Sequence, residues 1–114
     1  MSIKTLNTIL KRVRDALTSI SGLQVYHYTA DVNAGDPYCI WAEEGEGSSL
    51  EADDRKQARS ISGSIDYYTR TEFDPVADAI ENALNDAKIG FYLNSVQHED
   101  ETGYIHTEWV FNVS

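Results

Sequence analysis

Residues able to do chemistry are plentiful in this chain, but their spacing suits very little of it. The nearest thing to a metal loop is Asp31-Val-Asn33-Ala-Gly35-Asp36, with oxygen donors at alternate positions. A calcium loop of the helix–loop–helix kind needs glycine at its sixth position and a bidentate glutamate at its twelfth. Here Gly35 arrives one place early and Ala42 stands where the glutamate belongs, so the string reads as a polar turn. The histidines are His27, His98 and His106, and the single cysteine is Cys39. None of them falls at helical i, i+4 spacing, whereas zinc gathers three or four such ligands. No metal and no other cofactor is expected.

Carboxylates pair at Glu43-Glu44, Asp53-Asp54 and Glu99-Asp100-Glu101. General acid–base work needs two carboxyls in a partly dry pocket that separates their pKa values. These pairs lie in polar, mostly glycine-flanked segments and read as solvated loop charge. There is no G-x-S-x-G elbow. Gly45-Glu-Gly47 lacks a following helix, and the acids beside it repel phosphate. Catalysis is therefore not expected. Aromatics are numerous: seven Tyr, two Trp and three Phe. Tyr26, Tyr28, Tyr67, Tyr68, Tyr92 and Tyr104 fall on expected strands. Aromatic strand faces can stack nucleobases, but the acidic balance favours sheet packing and subunit contact.

The elements that must position these residues follow from periodicity. Ile3, Leu6, Ile9, Leu10, Val13, Leu17 and Ile20 recur at steps of three and four, which predicts an amphipathic helix. Ser2 can cap its start and Gly22 can end it. Val25–Thr29 and Tyr38–Glu43 read as strands separated by a loop over 30–37. The polar stretch from Glu44 onward reads as a mobile acidic loop at about 44–56, or a long hairpin arm. Arg59–Thr69 alternates: Ile61, Gly63, Ile65 and Tyr67 against Ser62, Ser64, Asp66 and Tyr68. Asp74 and Pro75 suit the N-cap and first turn of a second helix. Its buried stripe is Val76, Ala77, Ile80, Ala83, Leu84 and Ala87, and Gly90 closes it. Phe91–Gln97 and Tyr104–Val113 form a last hairpin, with Ile105, Thr107, Trp109, Phe111 and Val113 on one face. The expected fold is α+β: one curved, mainly antiparallel sheet of about five strands, with both helices on one face. Loops between consecutive strands permit antiparallel pairing.

The 114 residues suit a single domain. With 41% apolar and 25% charged residues the chain is ordinary globular material. A domain of this size is stable by about 5–15 kcal/mol, so oligomer formation is a natural supplement. The net charge of −10 repels phosphate, so a nucleic-acid face is not expected. One cysteine rules out an intrachain disulfide. No stretch approaches the ~20 apolar residues of a membrane helix, and no signal segment is visible, so a soluble protein made in a cytoplasm is expected. The charge is unevenly placed. Residues 1–14 carry Lys4, Lys11, Arg12 and Arg14 without an acid. Residues 31–54 carry acids without a base, among them Glu43, Glu44, Glu46, Glu51, Asp53 and Asp54. Opposite charges on one chain can attract between copies.

Element order and several phrases resemble a known family. The chain begins with a basic amphipathic helix and a short tyrosine-ending strand. It then enters a strand through Asp36-Pro37-Tyr38-Cys-Ile-Trp41. An acidic loop precedes Arg59-Ser-Ile-Ser-Gly-Ser-Ile-Asp66-Tyr-Tyr68, and a helix and a hairpin ending in Trp109-Val-Phe111 complete it. This resembles the tail-completion, or tail-terminator, proteins of long-tailed bacteriophages and prophages. The resemblance implies a virion structural protein without catalysis that caps the tail tube and forms the tail side of the head–tail junction. It also implies a ring, typically hexameric, that touches tail-tube and head-connector proteins. DNA is then passing cargo, no membrane is involved, and assembly takes place in the bacterial cytoplasm. The length and acidity of the 44–56 loop depart from the family pattern. The basic helix residues and the acidic loop residues named above are the expected subunit or ring contacts. The competing expectation is a small acidic adaptor or inhibitor that binds a basic protein as a monomer.

Overall fold

The computed structural model describes residues 4–47 and 59–114. Helix α1 spans Leu6–Thr18 and buries Ile9, Val13, Ala16 and Leu17 along the expected stripe. Its cap is Thr5, not Ser2, which lies outside the described residues. The Thr5 hydroxyl accepts from the Thr8 amide at 3.3 Å, satisfying one of the orphan donors of the first turn. The helix also stops earlier than Gly22. Ser19 caps it in the right-handed region, and Gly22 (φ 81°) serves the turn that follows.

Five strands follow: β1 (Gln24–His27), β2 (Tyr38–Glu46), β3 (Ile61–Thr69), β4 (Gly90–His98) and β5 (Ile105–Val113), with α2 (Pro75–Asp86) between β3 and β4. Their order in one open sheet is β1-β2-β3-β5-β4. Three of the four pairings are antiparallel. The exception is β1 and β2, which run parallel with Gln24 beside Tyr38 and His27 beside Trp41, so the sheet is mainly antiparallel as expected. The cause is local. Tyr28 leaves the strand direction at φ 76°, so β1 ends at His27 rather than Thr29. Residues 28–37 then carry the chain back to the end where β1 began. That return is too long for a tight turn, and it delivers β2 in the same direction.

The arm between β2 and β3 starts later than expected. Glu44 and Glu46 are strand residues, and Gly47 donates its amide to the Ser60 carbonyl at 2.7 Å. A register shift between Glu43 and Gly45 marks a bulge there. The hairpin arm is thus present at its base. Its expected mobility concerns residues outside the described ones.

All large buried side chains of the sheet share one face: Cys39, Trp41, Ile61, Ile65, Tyr67, Trp109, Phe111 and Val113. Both helices cover that face, and Ile80 and Leu84 of α2 complete the core with α1. Gly63 interrupts the row for a steric reason. A Cβ there would lie 2.1 Å from the Ala42 carbonyl oxygen and 2.6 Å from the Phe111 ring. The Phe111 ring occupies the space a side chain would need.

Asp74 caps α2 as expected and does more. Its carboxylate accepts from the Val76 amide at 2.9 Å, the Tyr67 hydroxyl at 2.5 Å and the Thr69 hydroxyl at 2.6 Å. Burial works to raise its pKa, but these donors outweigh burial and hold it below the ordinary value. Gly90 does not close α2. The helix ends at Ala87, Lys88 takes the left-handed conformation (φ 60°), and Gly90 opens β4.

Candidate assembly surfaces

The basic residues of α1 do not form one free patch. Arg12 reaches across to the chain's last residue, donating to the Ser114 main-chain oxygen and, at 2.6 Å, to the Ala87 carbonyl. Lys4 donates to the same Ser114 oxygen at 3.4 Å. Arg14 pairs with its neighbour Asp15 at 2.9 Å. Lys11 is exposed and has no ion pair or hydrogen bond among the described residues. Two of the four expected contact residues therefore clamp the end of β5 and the end of α2 within one chain. Spacing cannot show this, because 102 residues separate Arg12 from Ser114.

The acidic residues gather at the far end of β2. Glu43 accepts from the Tyr28 hydroxyl and lies 2.7 Å from His27 Nε2. His27 is itself sandwiched, 3.7 Å from the Tyr28 ring and 3.9 Å from the Trp41 ring. Burial pushes the Glu43 carboxyl up, yet the Tyr28 and His27 bonds prevail and leave it lowered. Tyr28 is pushed up in turn by the same carboxylate. Glu43, Glu44 and Glu46 share a hollow of about 330 Å3 with Leu6 and Arg59. The N-terminal turn of α1 and the base of the acidic arm thus meet inside one subunit. Glu51, Asp53 and Asp54 lie outside the described residues.

The helix-free face carries an aromatic ladder. Tyr38, Tyr68 and His106 are cross-strand neighbours on β2, β3 and β5. Tyr38 stacks on Tyr68 at 4.8 Å, and Tyr68 on His106 at 4.3 Å. Tyr26 and Tyr104 meet the ladder edge-on. Arg70 lies 4.1 Å over the Tyr104 ring, and His106 is held by Asp66 at 2.7 Å. Both faces of Tyr68 are therefore covered by neighbouring rings. A nucleobase needs an open ring face, and Tyr68 offers none. Burial, then the charge of Asp66, pushes the Tyr68 hydroxyl up to about 12.

The two outer strands differ from the rest of the sheet. β4 exposes Tyr92, Leu93 and Val96 at 60%, 55% and 56%. β1 presents Gln24 and His27 at the opposite margin. The strand order that makes these two the edges is not visible in the sequence, which places β4 next to β5 but says nothing of β1. An open groove of about 870 Å3 lies between α1 and α2, lined among others by Ala16, Ala79 and Ala83.

The remaining sequence candidates resolve into structure. The Asp31 carboxylate accepts the Asn33 amide at 3.0 Å, a local turn rather than a ligand cage. Among the described residues no group of three or more His, Cys, Asp or Glu is arranged to hold a metal. No described helix is long and apolar enough to cross a membrane.

No protein-family model matches the sequence, and no curated protein matches it. Solved structures do match the fold. The sheath/tube terminator of an extracellular contractile injection system (PVC), in its extended state, superposes over 99% of this chain with a TM-score of 0.60 at 9% identity. The chain shares the fold of that terminator. It spans 57% of that terminator's length. A chain of the native gene transfer agent (GTA) virion superposes with a TM-score of 0.52 at 15% identity, covering 95% of this chain and 92% of that one. The resemblance drawn from element order thus holds for the fold, from α1 through β5.

Proposed function

We propose that this chain is a single-domain virion structural subunit that closes a tail tube and forms the tail side of the head–tail junction as a ring of copies, six in the family it resembles. Its partners are then further copies of itself, the tail-tube protein and the head-connector protein. DNA passes through without being held, and assembly takes place in the bacterial cytoplasm. The observation that supports this most directly is the likeness, over nearly the whole chain, to a sheath/tube terminator. The surfaces agree with it. The sheet is open, so its edges can continue into a neighbour. Asp74 serves as a cap and Asp31 closes a local turn. An acidic lumen wall would repel DNA and keep it from sticking.

In this proposal Lys11 and Arg14 remain candidate ring contacts, whereas Lys4 and Arg12 act mainly within the subunit. Glu44, Glu46, Glu51, Asp53 and Asp54 are the candidates to face the lumen or the next ring. Replacing Glu44, Glu51, Asp53 and Asp54 together by Gln or Asn tests this. Melting temperature should stay unchanged while infectious-particle yield falls. Unchanged yield with normal head–tail joining would remove the arm from the junction.

A further inference from the structure

Charge in this sheet is placed the wrong way round for a protein that stays alone. The three inner strands all carry carboxylates: Glu43, Glu44 and Glu46 on β2, Asp66 on β3 and Glu108 on β5. The two outer strands, β1 (Gln-Val-Tyr-His) and β4 (Gly-Phe-Tyr-Leu-Asn-Ser-Val-Gln-His), contain no Asp, Glu, Lys or Arg. Soluble proteins usually guard edge strands with charge, above all Lys, or with Pro, because unpaired N–H and C=O groups invite another strand. Neither charge nor Pro is present here, and the margins are left with only the shortness of β1 and the register shift of β4. Two copies that each carry −10 repel over most of their surfaces. Approach along the neutral edges is the least opposed, and β4 also offers Tyr92, Leu93 and Val96 for burial.

Strand direction supplies the geometry. β1 runs with β2, β2 against β3, β3 against β5, and β5 against β4. β4 therefore runs opposite to β1. If one copy is placed beside another so that the sheet simply continues, the new neighbours are antiparallel and both helix layers stay on the same side. Lengths also agree. The register shift between Leu93 and Ser95 divides β4 into Gly90–Leu93 and Ser95–His98, and each of these segments equals the four residues of β1 in length.

We propose that β4 of one copy pairs antiparallel with β1 of the next, so that the sheet runs on from subunit to subunit. This rests on the ring proposed above and names its seam. Such a contact is heterologous: each copy uses two different edges, so addition continues until the rotation closes a ring. Pairing of β4 with β4 would be isologous and would stop at two.

Disulfide trapping separates these cases. Tyr26 on β1 and both Tyr92 and Gln97 on β4 lie on the helix-free face, so Tyr26→Cys is combined in one chain with Tyr92→Cys or with Gln97→Cys. Cys39 can stay in place, because it is fully buried and burial pushes its thiol up to about 12. On mild oxidation of concentrated protein, one of the two double variants should give a covalent ladder beyond the dimer, ending at the size of the ring. Each single variant should give no ladder. Dimers from Tyr92→Cys or Gln97→Cys alone, without a ladder, would replace the seam by β4–β4 pairing. Oligomers of the unaltered chain by native mass spectrometry, with no cross-link in either double variant, would overturn this seam and leave the ring standing. A chain that stays monomeric even with the tail-tube protein would overturn both. Val96→Lys supplies a charge where the edge lacks one. It should abolish the oligomer with an unchanged circular dichroism melt, and an undiminished oligomer would contradict the seam.

Discussion

Asp74 shows how one carboxylate fixes several elements. It caps α2 and also holds the hydroxyls of Tyr67 and Thr69 at the end of β3. Asp74→Ala should therefore cost more than an ordinary cap, which is worth about 1 kcal/mol. It strands two hydroxyls besides, at about 1–3 kcal/mol for a buried one. A loss of roughly 2–4 kcal/mol in urea unfolding is expected. The pH dependence follows from the lowered folded-state pKa. The stabilisation is complete above the unfolded carboxyl value, about 4, and is lost as pH falls through the lower folded value. Asp74→Asn should lack that acid-side loss. An identical acid melt in both proteins would mean that the Tyr67 and Thr69 bonds do not stabilise the ionised form. The cap was legible from Asp74-Pro75 alone. The hydroxyl partners were not, because neither Tyr67 nor Thr69 announces which way its oxygen points.

At the scale of elements, α1 is tied to the rest of the molecule by Arg12 as well as by its apolar stripe. The guanidinium spans Ser114 at the end of β5 and Ala87 at the end of α2. Arg12→Ala should destabilise by about 2 kcal/mol, since a charge-assisted bond to a part-buried carbonyl is lost. Thermal unfolding should then move down by roughly 5–10 °C. Lys11→Ala should leave stability within about 0.5 kcal/mol, as exposed substitutions away from special features do. Equal melts for the two variants would return Arg12 to the surface contacts. Helices and strands themselves were readable because their stripes are strong: Ile9, Val13 and Leu17 on α1, and the alternation from Ile61 to Tyr67. The direction of one pairing was not readable. The parallel β1–β2 contact depends on Tyr28 adopting a positive φ, a conformation that a tyrosine rarely takes and that no pattern of apolar residues encodes.

At the scale of the whole molecule, acidity has become a matter of position. The inner strands hold the carboxylates of the sheet and its margins hold none, so the surface that repels and the surface that can join are separate. The sequence showed where charge lies along the chain. It could not show that β1 and β4 are the margins, because strand order depends on contacts between residues far apart in sequence. Nor could it show that Tyr26, Tyr38, Tyr68 and Tyr104 pack against one another. The measurement that tests the account most directly is cryo-electron microscopy of the assembled particle with this chain identified in the density. The account predicts a single closed ring of this chain at one end of the tail tube, with a sheet continuous across subunits. Copies distributed along the tube, or no copies in the particle at all, would contradict it.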